Sequence, residues 1–199
     1  MSDDINKSYS PHVELAKTAI RAYVERNEVV AVTADGKCKT GSGSGADASY
    51  DYSALLTERA GTFVSIKKRG ELRGCIGTIS PMKNSLAEEI VDNAISACSR
   101  DPRFDPVAAG ELSDLTVSVD VLSEAEPIAT RDELDVKRYG VIVSKGYRRG
   151  LLLPNLEGVD TIEYQLRIAL SKAGIHPSER YNMERFEVVR HEIGGSMEA

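Results

Sequence analysis

The sequence places an arginine and a cysteine two positions apart on one predicted strand. Arg73 and Cys75 lie within the stretch Gly61–Ile79, which reads G-T-F-V-S-I-K-K-R-G-E-L-R-G-C-I-G-T-I. Side chains alternate along a β-strand, so this spacing puts the guanidinium and the thiol on one face, roughly 7 Å apart. A neighbouring cation favours the nucleophilic thiolate, and an arginine can also hold a carboxylate or phosphate. We therefore take Cys75 as the candidate catalytic residue and Arg73 as a candidate ligand-binding residue.

The residue types leave two interpretations of this pair open. A cysteine nucleophile usually works with a base, most often histidine. No histidine lies near Cys75 in the sequence, although His176 or His191 could approach it in the folded chain. The alternative is that Cys75 is a small residue chosen for close packing. Arg73 is harder to explain by packing alone, because a charged side chain on a strand needs a partner or a ligand.

The elements that must position this pair form a predicted β-hairpin. The dipeptide Arg69-Gly70 is typical of a tight turn, in which glycine supplies a positive φ. Gly74 and Gly77 lie inside the second strand, where glycine often marks a bulge or the close approach of a ligand or another backbone. We include both glycines in the candidate ligand site. The simplest pairing about the turn sets Lys68 opposite Glu71, Ile66 opposite Arg73, Val64 opposite Cys75 and Phe63 opposite Ile76.

Positive charge is concentrated in this hairpin and in a second one downstream, whose turn is predicted at Lys145-Gly146. Residues 66–73 and 144–150 each carry a local net charge of +3, in a chain whose net charge is −6. If the two hairpins lie together, they form an anion-attracting patch to which Arg149 contributes. The alternative is that these lysines and arginines protect strand edges against unwanted pairing.

Several motifs together resemble the AMMECR-type domain of the AmmeMemoRadiSam system protein A group. They are L-R-G-C-I-G-T (Leu72 to Thr78), A-I-S-A-C-S-R-D-P-R-F (Ala94 to Phe104), Y-G-V-I-V-S-K-G-Y-R-R-G-L-L-L-P (Tyr139 to Pro154), K-A-G-I (Lys172 to Ile175) and E-R-F-E-V (Glu184 to Val188).

The resemblance implies a larger and a smaller lobe with a groove between them, and a biochemical activity that is unsettled. It also implies a radical S-adenosylmethionine protein and a MEMO-like protein as companions. Asp101 and Arg103 belong to a recurrent motif, so we expect one of them to approach the Arg73–Cys75 face and include both in the ligand site. The chain departs from the family pattern in having no tryptophan, and in carrying Ile168-Ala169-Leu170 where a cysteine is expected.

The predicted fold class is α+β, an antiparallel sheet built from hairpins with flanking α-helices. Helical spacing or caps predict helices over residues 11–27, 85–99 and 160–173, and G-S-G-S-G from Gly41 predicts a loop. Ser85 and Glu88 form a capping box for the second helix, and Gly174 is expected to end the third. Residues 1–9 are predicted to form a disordered tail, 10–194 a single domain of two lobes without an assignable boundary, and 195–199 a second tail. The last strand is predicted over residues 185–193, and Asp120 is predicted to point outward from the strand that runs from Leu115 to Leu122.

Composition excludes several classes of function. The three cysteines are widely separated and form no C-x-x-C pair, which indicates reduced thiols, a cytoplasmic location and no zinc site. The three histidines show no metal-ligand spacing, and we expect no metal or organic cofactor. No apolar run is long enough to span a bilayer. A net charge of −6 disfavours nucleic acid as a partner. The oligomeric state stays open.

Two functions from different classes follow. In the first, the protein is an enzyme or enzyme component that handles a small anionic substrate in a groove lined by Arg73 and Cys75, together with the two companion proteins. In the second, it is a non-catalytic binding module that docks such partners through the surface of Leu72–Thr78. We expect a concave site with the thiol accessible in the first case and a flat face with Cys75 buried in the second.

Overall fold

The computed structural model describes residues 10–41 and 50–192. The predicted tails at 1–9 and 195–199, and most of the predicted glycine–serine loop, lie outside these ranges. The helices are α1 (Pro11–Arg26), α2 (Ala54–Thr57), α3 (Leu86–Ser99) and α4 (Ile162–Ala173). The strands are β1 (Val30–Val32), β2 (Cys38–Thr40), β3 (Thr62–Lys68), β4 (Glu71–Gly77), β5 (Leu115–Leu122), β6 (Glu126–Ile128), β7 (Gly140–Lys145), β8 (Arg148–Leu152), β9 (Asn182–Phe186) and β10 (Val188–Glu192).

The chain forms two compact units, and the predicted α+β class is confirmed. The first unit comprises the chain up to Val121 together with the residues from Arg190 onward, and the second comprises Leu122–Val189. In the first, a four-stranded antiparallel sheet in the order β10-β5-β3-β4 packs against α3, and α1 packs on α3. In the second, a sheet in the order β6-β9-β7-β8 packs against α4. The pair β1-β2 is a separate small sheet of the first unit.

Helix α3 is the element against which the first sheet is built. Ser85 caps it by accepting a hydrogen bond from the backbone N–H of Glu88, as the sequence predicts. Its residues Leu86, Ile90 and Ala94 are buried in the core of the first unit. A Cβ atom placed on Gly74 of β4 would lie only 2.2 Å from the carbonyl oxygen of Ala97. Glycine at position 74 therefore lets the helix backbone lie directly on the strand.

The register of the β3–β4 hairpin differs from the predicted one after the first pair. Lys68 pairs with Glu71 as expected, but a β-bulge follows, because Lys67 pairs with Leu72 and Ile66 pairs with Gly74. Arg73 is thus the extra residue of the bulge, and every later pair is shifted by one position. The predicted pairs of Ile66 with Arg73, Val64 with Cys75 and Phe63 with Ile76 are wrong: Gly74 pairs with Ile66, Cys75 with Ser65, Ile76 with Val64 and Gly77 with Phe63.

Two other segments also differ from the sequence prediction. Lys145 pairs with Arg148, so the second hairpin turns at Gly146-Tyr147 and not at Lys145-Gly146. The single strand predicted over 185–193 is two strands, because β9 ends at Phe186 in the second sheet and β10 begins at Val188 in the first. A continuous run of strand-forming residues does not reveal which sheet each part joins.

The close approach of α3 to β4 gives a stability prediction. We expect Gly74→Ala to lower the free energy of unfolding by about 1–3 kcal/mol, because the added methyl group displaces the helix backbone. Urea unfolding measures the change. Gly110→Ala is the matched control, since a Cβ atom there has no heavy atom within 4 Å. Equal effects of the two substitutions would contradict the packing argument.

Candidate functional site

The thiol of Cys75 lies on the sheet face opposite to α3. Directly paired residues share a face, and Ser65 pairs with both Cys75 and Ser118, so the three side chains form a row across β5, β3 and β4. All three residues are half-buried. The hydroxyl of Ser65 donates a hydrogen bond to the sulfur of Cys75 at 3.2 Å.

The other two cysteines have a different environment. Cys38 and Cys98 are buried in the core of the first unit, 3% and 1% exposed. Burial raises the pKa of each thiol to about 11. Both are therefore protonated at neutral pH. Cys75 is the one cysteine of the three that is not buried.

Asp101 and Arg103, from the loop after α3, bind the backbone of Cys75. The carboxylate of Asp101 accepts a hydrogen bond from the backbone N–H of Cys75 at 2.9 Å. Arg103 donates to the carbonyl oxygen of Cys75 at 3.3 Å and to Asp101 at 2.7 and 2.9 Å. Hydrogen bonds from the Arg103 side chain, and then from backbone N–H groups, hold the pKa of Asp101 well below its usual value. The loop thus covers the outer edge of β4 beside the thiol, where the sequence expects one of these residues.

A second arginine–carboxylate pair lies on the same face of the sheet. Arg190 of β10 donates two hydrogen bonds to Asp120 of β5, at 2.7 and 2.8 Å. Asp120 lies two residues beyond Ser118 and is only 1% exposed, so the predicted solvent-facing position is wrong. A buried carboxylate requires such a partner. Asp120, Arg190, Ser65 and Ser118 were not identified from the sequence, because their grouping depends on strands far apart in the chain.

Two guanidinium groups lie within electrostatic range of the Cys75 thiol. The pKa of Arg103 is raised mainly by its hydrogen bonds to Asp101, and its charge also interacts with Cys75. The pKa of Arg190 is raised mainly by its hydrogen bonds to Asp120, with a further contribution from Cys75. The side chains of Arg103 and Arg190 are 53% and 47% exposed. The cations around this thiol are therefore accessible from solvent.

Arg73 makes all of its observed contacts with the protein itself. Its guanidinium donates two hydrogen bonds to Glu111, one to the carbonyl of Asp105 and one to the carbonyl of Pro106. Its side chain is only 16% exposed. Hydrogen bonds from Arg73 and then Lys68 lower the pKa of Glu111 to about 2. Arg73 thus ties the bulge of β4 to the loop after α3, and a ligand would have to compete with these contacts.

The remaining predicted ligand residues also contact their own chain. Gly74 lies against Ala97, and a Cβ atom on Gly77 would lie 2.3 Å from the ring of Phe63. Arg149 belongs to the second unit, where it pairs with Glu184 at 3.1 Å. Most of the other basic residues of the two hairpins are also paired with carboxylates: Lys68 with Glu111, Arg69 with Asp114, and Lys145 and Arg148 with Glu179.

The histidines that could have served as a base have other partners. His176 of the second unit interacts through Nδ1 with the hydroxyl of Ser178. His191 stacks on His12 of α1, with ring centroids 3.7 Å apart and an interplanar angle of 13°. Burial and then the charge of His191 lower the pKa of His12 to about 4. Burial also lowers the pKa of His191. In the contacts of the described residues, no histidine bonds to Cys75.

Within the described ranges, no cluster of three or more histidine, cysteine or acidic side chains has the geometry to hold a metal ion. None of the helices described is long and apolar enough to cross a membrane.

Comparison with known proteins identifies the family. A family model described as AMMECR1 matches residues 13–192. The chain belongs to the AMMECR1 family. A Thermotoga maritima protein is 57% identical over 139 residues, which cover 69% of this chain and 80% of that protein. A Clostridium acetobutylicum protein is 48% identical over 181 residues, covering 91% of this chain but only 36% of that protein. The AMMECR1 chain thus spans about a third of that longer relative.

A solved structure supports the fold assignment. The crystal structure of the uncharacterised protein PH0010 from Pyrococcus horikoshii matches this AMMECR1 chain with a TM-score of 0.74 and 29% sequence identity. The match covers 94% of this chain and 93% of that one, so it extends over both compact units.

The contacts of Arg73 predict a structural role that can be measured. We expect Arg73→Gln to lower the free energy of unfolding by about 1–3 kcal/mol, because the largely buried Glu111 loses its main partner. A double-mutant cycle with Glu111→Gln, measured by urea unfolding, should give a coupling energy above about 0.5 kcal/mol. Arg69→Gln is the control, since its side chain is 78% exposed. Additive effects of the Arg73 and Glu111 substitutions would contradict this role.

The stacked histidines predict a loss of stability in acid. Below pH 6.5 the unfolded chain protonates at His12 while the folded chain stays neutral down to about pH 4, so stability should fall as the pH decreases through this window. We expect the His12 contribution to be of the order of 1 kcal/mol, because the ring is only partly buried. Urea unfolding between pH 7.5 and 4.5 should show a smaller loss for His12→Phe and an unchanged loss for the control His176→Gln. If stability fell equally with pH in His12→Phe and in the wild type, protonation of His12 would be excluded as the cause of the loss.

Proposed function

We propose that this AMMECR1 protein is an enzyme or enzyme component that handles a small anionic substrate on the sheet face that carries Cys75. One observation carries the proposal: a half-buried thiol accepts a hydrogen bond from Ser65 and lies within electrostatic range of Arg103 and Arg190. A thiol flanked by accessible cations is an arrangement typical of reactive cysteines.

Each residue of the face has a proposed role. Cys75 is the reactive group, and Ser65 orients its sulfur through the hydrogen bond from the hydroxyl. Arg103 and Arg190 contact the anion, because both guanidinium groups are about half exposed while their carboxylate partners hold them in place. The sequence assigns anion binding to Arg73. Since its contacts with Glu111 and the loop carbonyls already engage it, we propose that Arg73 positions the strand and that Arg103 takes the role of binding the substrate.

The proposed partners are a radical S-adenosylmethionine protein and a MEMO-like protein, as the family resemblance implies. The Clostridium acetobutylicum relative is consistent with this idea, because most of its length lies outside the region that matches this chain. Additional domains joined to the same chain commonly act on a shared substrate. We propose that the AMMECR1 region works with these two partners on one substrate.

The alternative function is a docking module that uses the surface of Leu72–Thr78. The exposure of Leu72, at 41%, favours this alternative. The covered edge of β4 counts against it, because Asp101 and Arg103 already bond to the backbone N–H and carbonyl of Cys75. A partner strand would need those groups for its own pairing.

Charge-selective alkylation tests the proposed anion site. Iodoacetate and iodoacetamide react with the same thiolate but differ in charge, so the ratio of their rates reports the local potential and cancels the protonation of the thiol. We expect the iodoacetate-to-iodoacetamide ratio at Cys75 to be about threefold higher in the folded chain than in the urea-unfolded chain. Mass spectrometry locates the label. Cys38 and Cys98 should react slowly, because both are buried.

Matched arginine variants connect this ratio to the proposed residues. Arg103→Gln and Arg190→Gln should each lower the ratio toward that of the unfolded chain, whereas Arg69→Gln in the neighbouring turn should leave it unchanged. A folded-state ratio no higher than the unfolded one would overturn the anion site. A docking module predicts a different result: Leu72→Asp would abolish capture of the two companion proteins while the alkylation ratio stays at the unfolded value.

A further inference from the structure

The first unit contains a cavity of about 280 Å³ on the side of α3 that faces β1. This volume is just below the range of about 300–1,000 Å³ that is typical of small-molecule sites. The cavity therefore suits a group no larger than a branched aliphatic chain or one aromatic ring. Its apolar lining comes from four neighbouring elements and includes Tyr23, Val30, Val32, Leu56, Val91 and Ile95.

This cavity is separate from the sheet face that carries Cys75. Helix α3 turns Ala97 toward Gly74 of the sheet, and it turns Ala87, Val91 and Ile95 toward the cavity. Residues 87, 91 and 95 follow one stripe of the helix, and at 100° per residue, residue 97 lies about 120° around the helix from the middle of that stripe. A ligand in the cavity would thus contact a different surface of the helix from a substrate beside Cys75.

Four charged residues line the cavity besides its apolar residues, and they differ in how they are paired. Lys83 pairs with Asp92 at 3.1 Å. Glu88 accepts a hydrogen bond from the backbone N–H of Asn84 at 3.3 Å. Arg100 is exposed, and its guanidinium makes no hydrogen bond or ion pair with any of the residues that the structure describes. Of the two cationic residues in the lining, Arg100 is therefore the one without a carboxylate partner in the described part of the chain, while the exposed Glu88 keeps its negative charge.

We propose that the cavity binds a small organic acid, whose branched or aromatic body fills the apolar space and whose carboxylate pairs with Arg100. Apolar burial supplies most of the affinity of such a ligand, and the guanidinium selects the carboxylate by donating two parallel hydrogen bonds to its oxygens. Lys83 and Asp92 pair with each other, and the guanidinium of Arg100, which can donate two parallel hydrogen bonds to a carboxylate, sets the preference for an anion. This site is independent of the proposed function at Cys75.

The test measures binding of charge-matched probes to the full chain. Isovalerate and phenylacetate are the acids, isoamylamine is the amine, and isoamyl alcohol is the neutral probe. Saturation-transfer NMR gives the dissociation constants, and thermal unfolding gives an independent signal. We expect the two acids to bind saturably, and the amine and the alcohol to bind about fivefold more weakly or not at all.

Variants assign the binding to the cavity. Arg100→Gln should weaken the acids about fivefold and leave the alcohol unchanged, while the exposed control Arg180→Gln should change neither. Val29→Trp should block the cavity, because Val29 lines it and is 60% exposed; Val189→Trp is the matched control at the same exposure.

Three results would overturn the proposal. The first is that none of the probes binds. The second is that acid and amine bind equally and Arg100→Gln changes neither. The third is that Cys75→Ser abolishes binding of the acids, because the acid would then occupy the sheet face and not the cavity. Retained acid binding in Cys75→Ser supports the cavity whatever the alkylation experiment shows about Cys75.

Discussion

The buried carboxylate of Asp101 is the contact on which the candidate site depends. It accepts a hydrogen bond from the backbone N–H of Cys75 and another from the Arg103 side chain. It thereby joins the loop after α3 to the edge strand β4. Without this bond the Cys75 N–H would face outward from an edge, open to pairing with another chain. The same contact sets Arg103 beside the thiol. The Asp101 side chain thus both protects the edge of β4 and holds the charge of Arg103 near the thiol.

The arginines near the candidate site are paired with carboxylates. A local excess of positive charge in the sequence therefore does not show which arginine a ligand can reach. Arg103 has Asp101, Arg190 has Asp120, and Arg73 has Glu111. The sequence left open whether the two basic hairpins form an anion-attracting patch or protect strand edges, and most of their charges meet carboxylates. What distinguishes the proposed anion contacts is therefore accessibility: the side chain of Arg73 is mostly buried, whereas those of Arg103 and Arg190 are about half exposed.

The features that the sequence predicts well are those encoded by neighbouring residues. The Ser85 cap starts α3, and Gly174 ends α4 in the left-handed conformation, both as local patterns indicate. The bulge at Arg73 was missed because ideal pairing was assumed about a correctly predicted turn, and one extra residue shifts every later pair. Asp120 was placed in solvent because its partner Arg190 lies 70 positions away. Long-range pairing of charges leaves no local pattern.

The position of β10 in the chain has a consequence for the candidate site. Arg190 reaches Asp120 only after the chain has passed through the whole of the second unit, because β5 ends at Leu122 and β10 begins at Val188. Asp120 is buried, so before β10 pairs it lacks its partner, and an unpaired buried carboxylate is strongly unfavourable. Pairing of β10 therefore both completes the sheet and brings the second guanidinium to Cys75. The guanidinium of Arg190 is therefore brought near the thiol by β10, whereas that of Arg103 is held by Asp101 in the loop after α3.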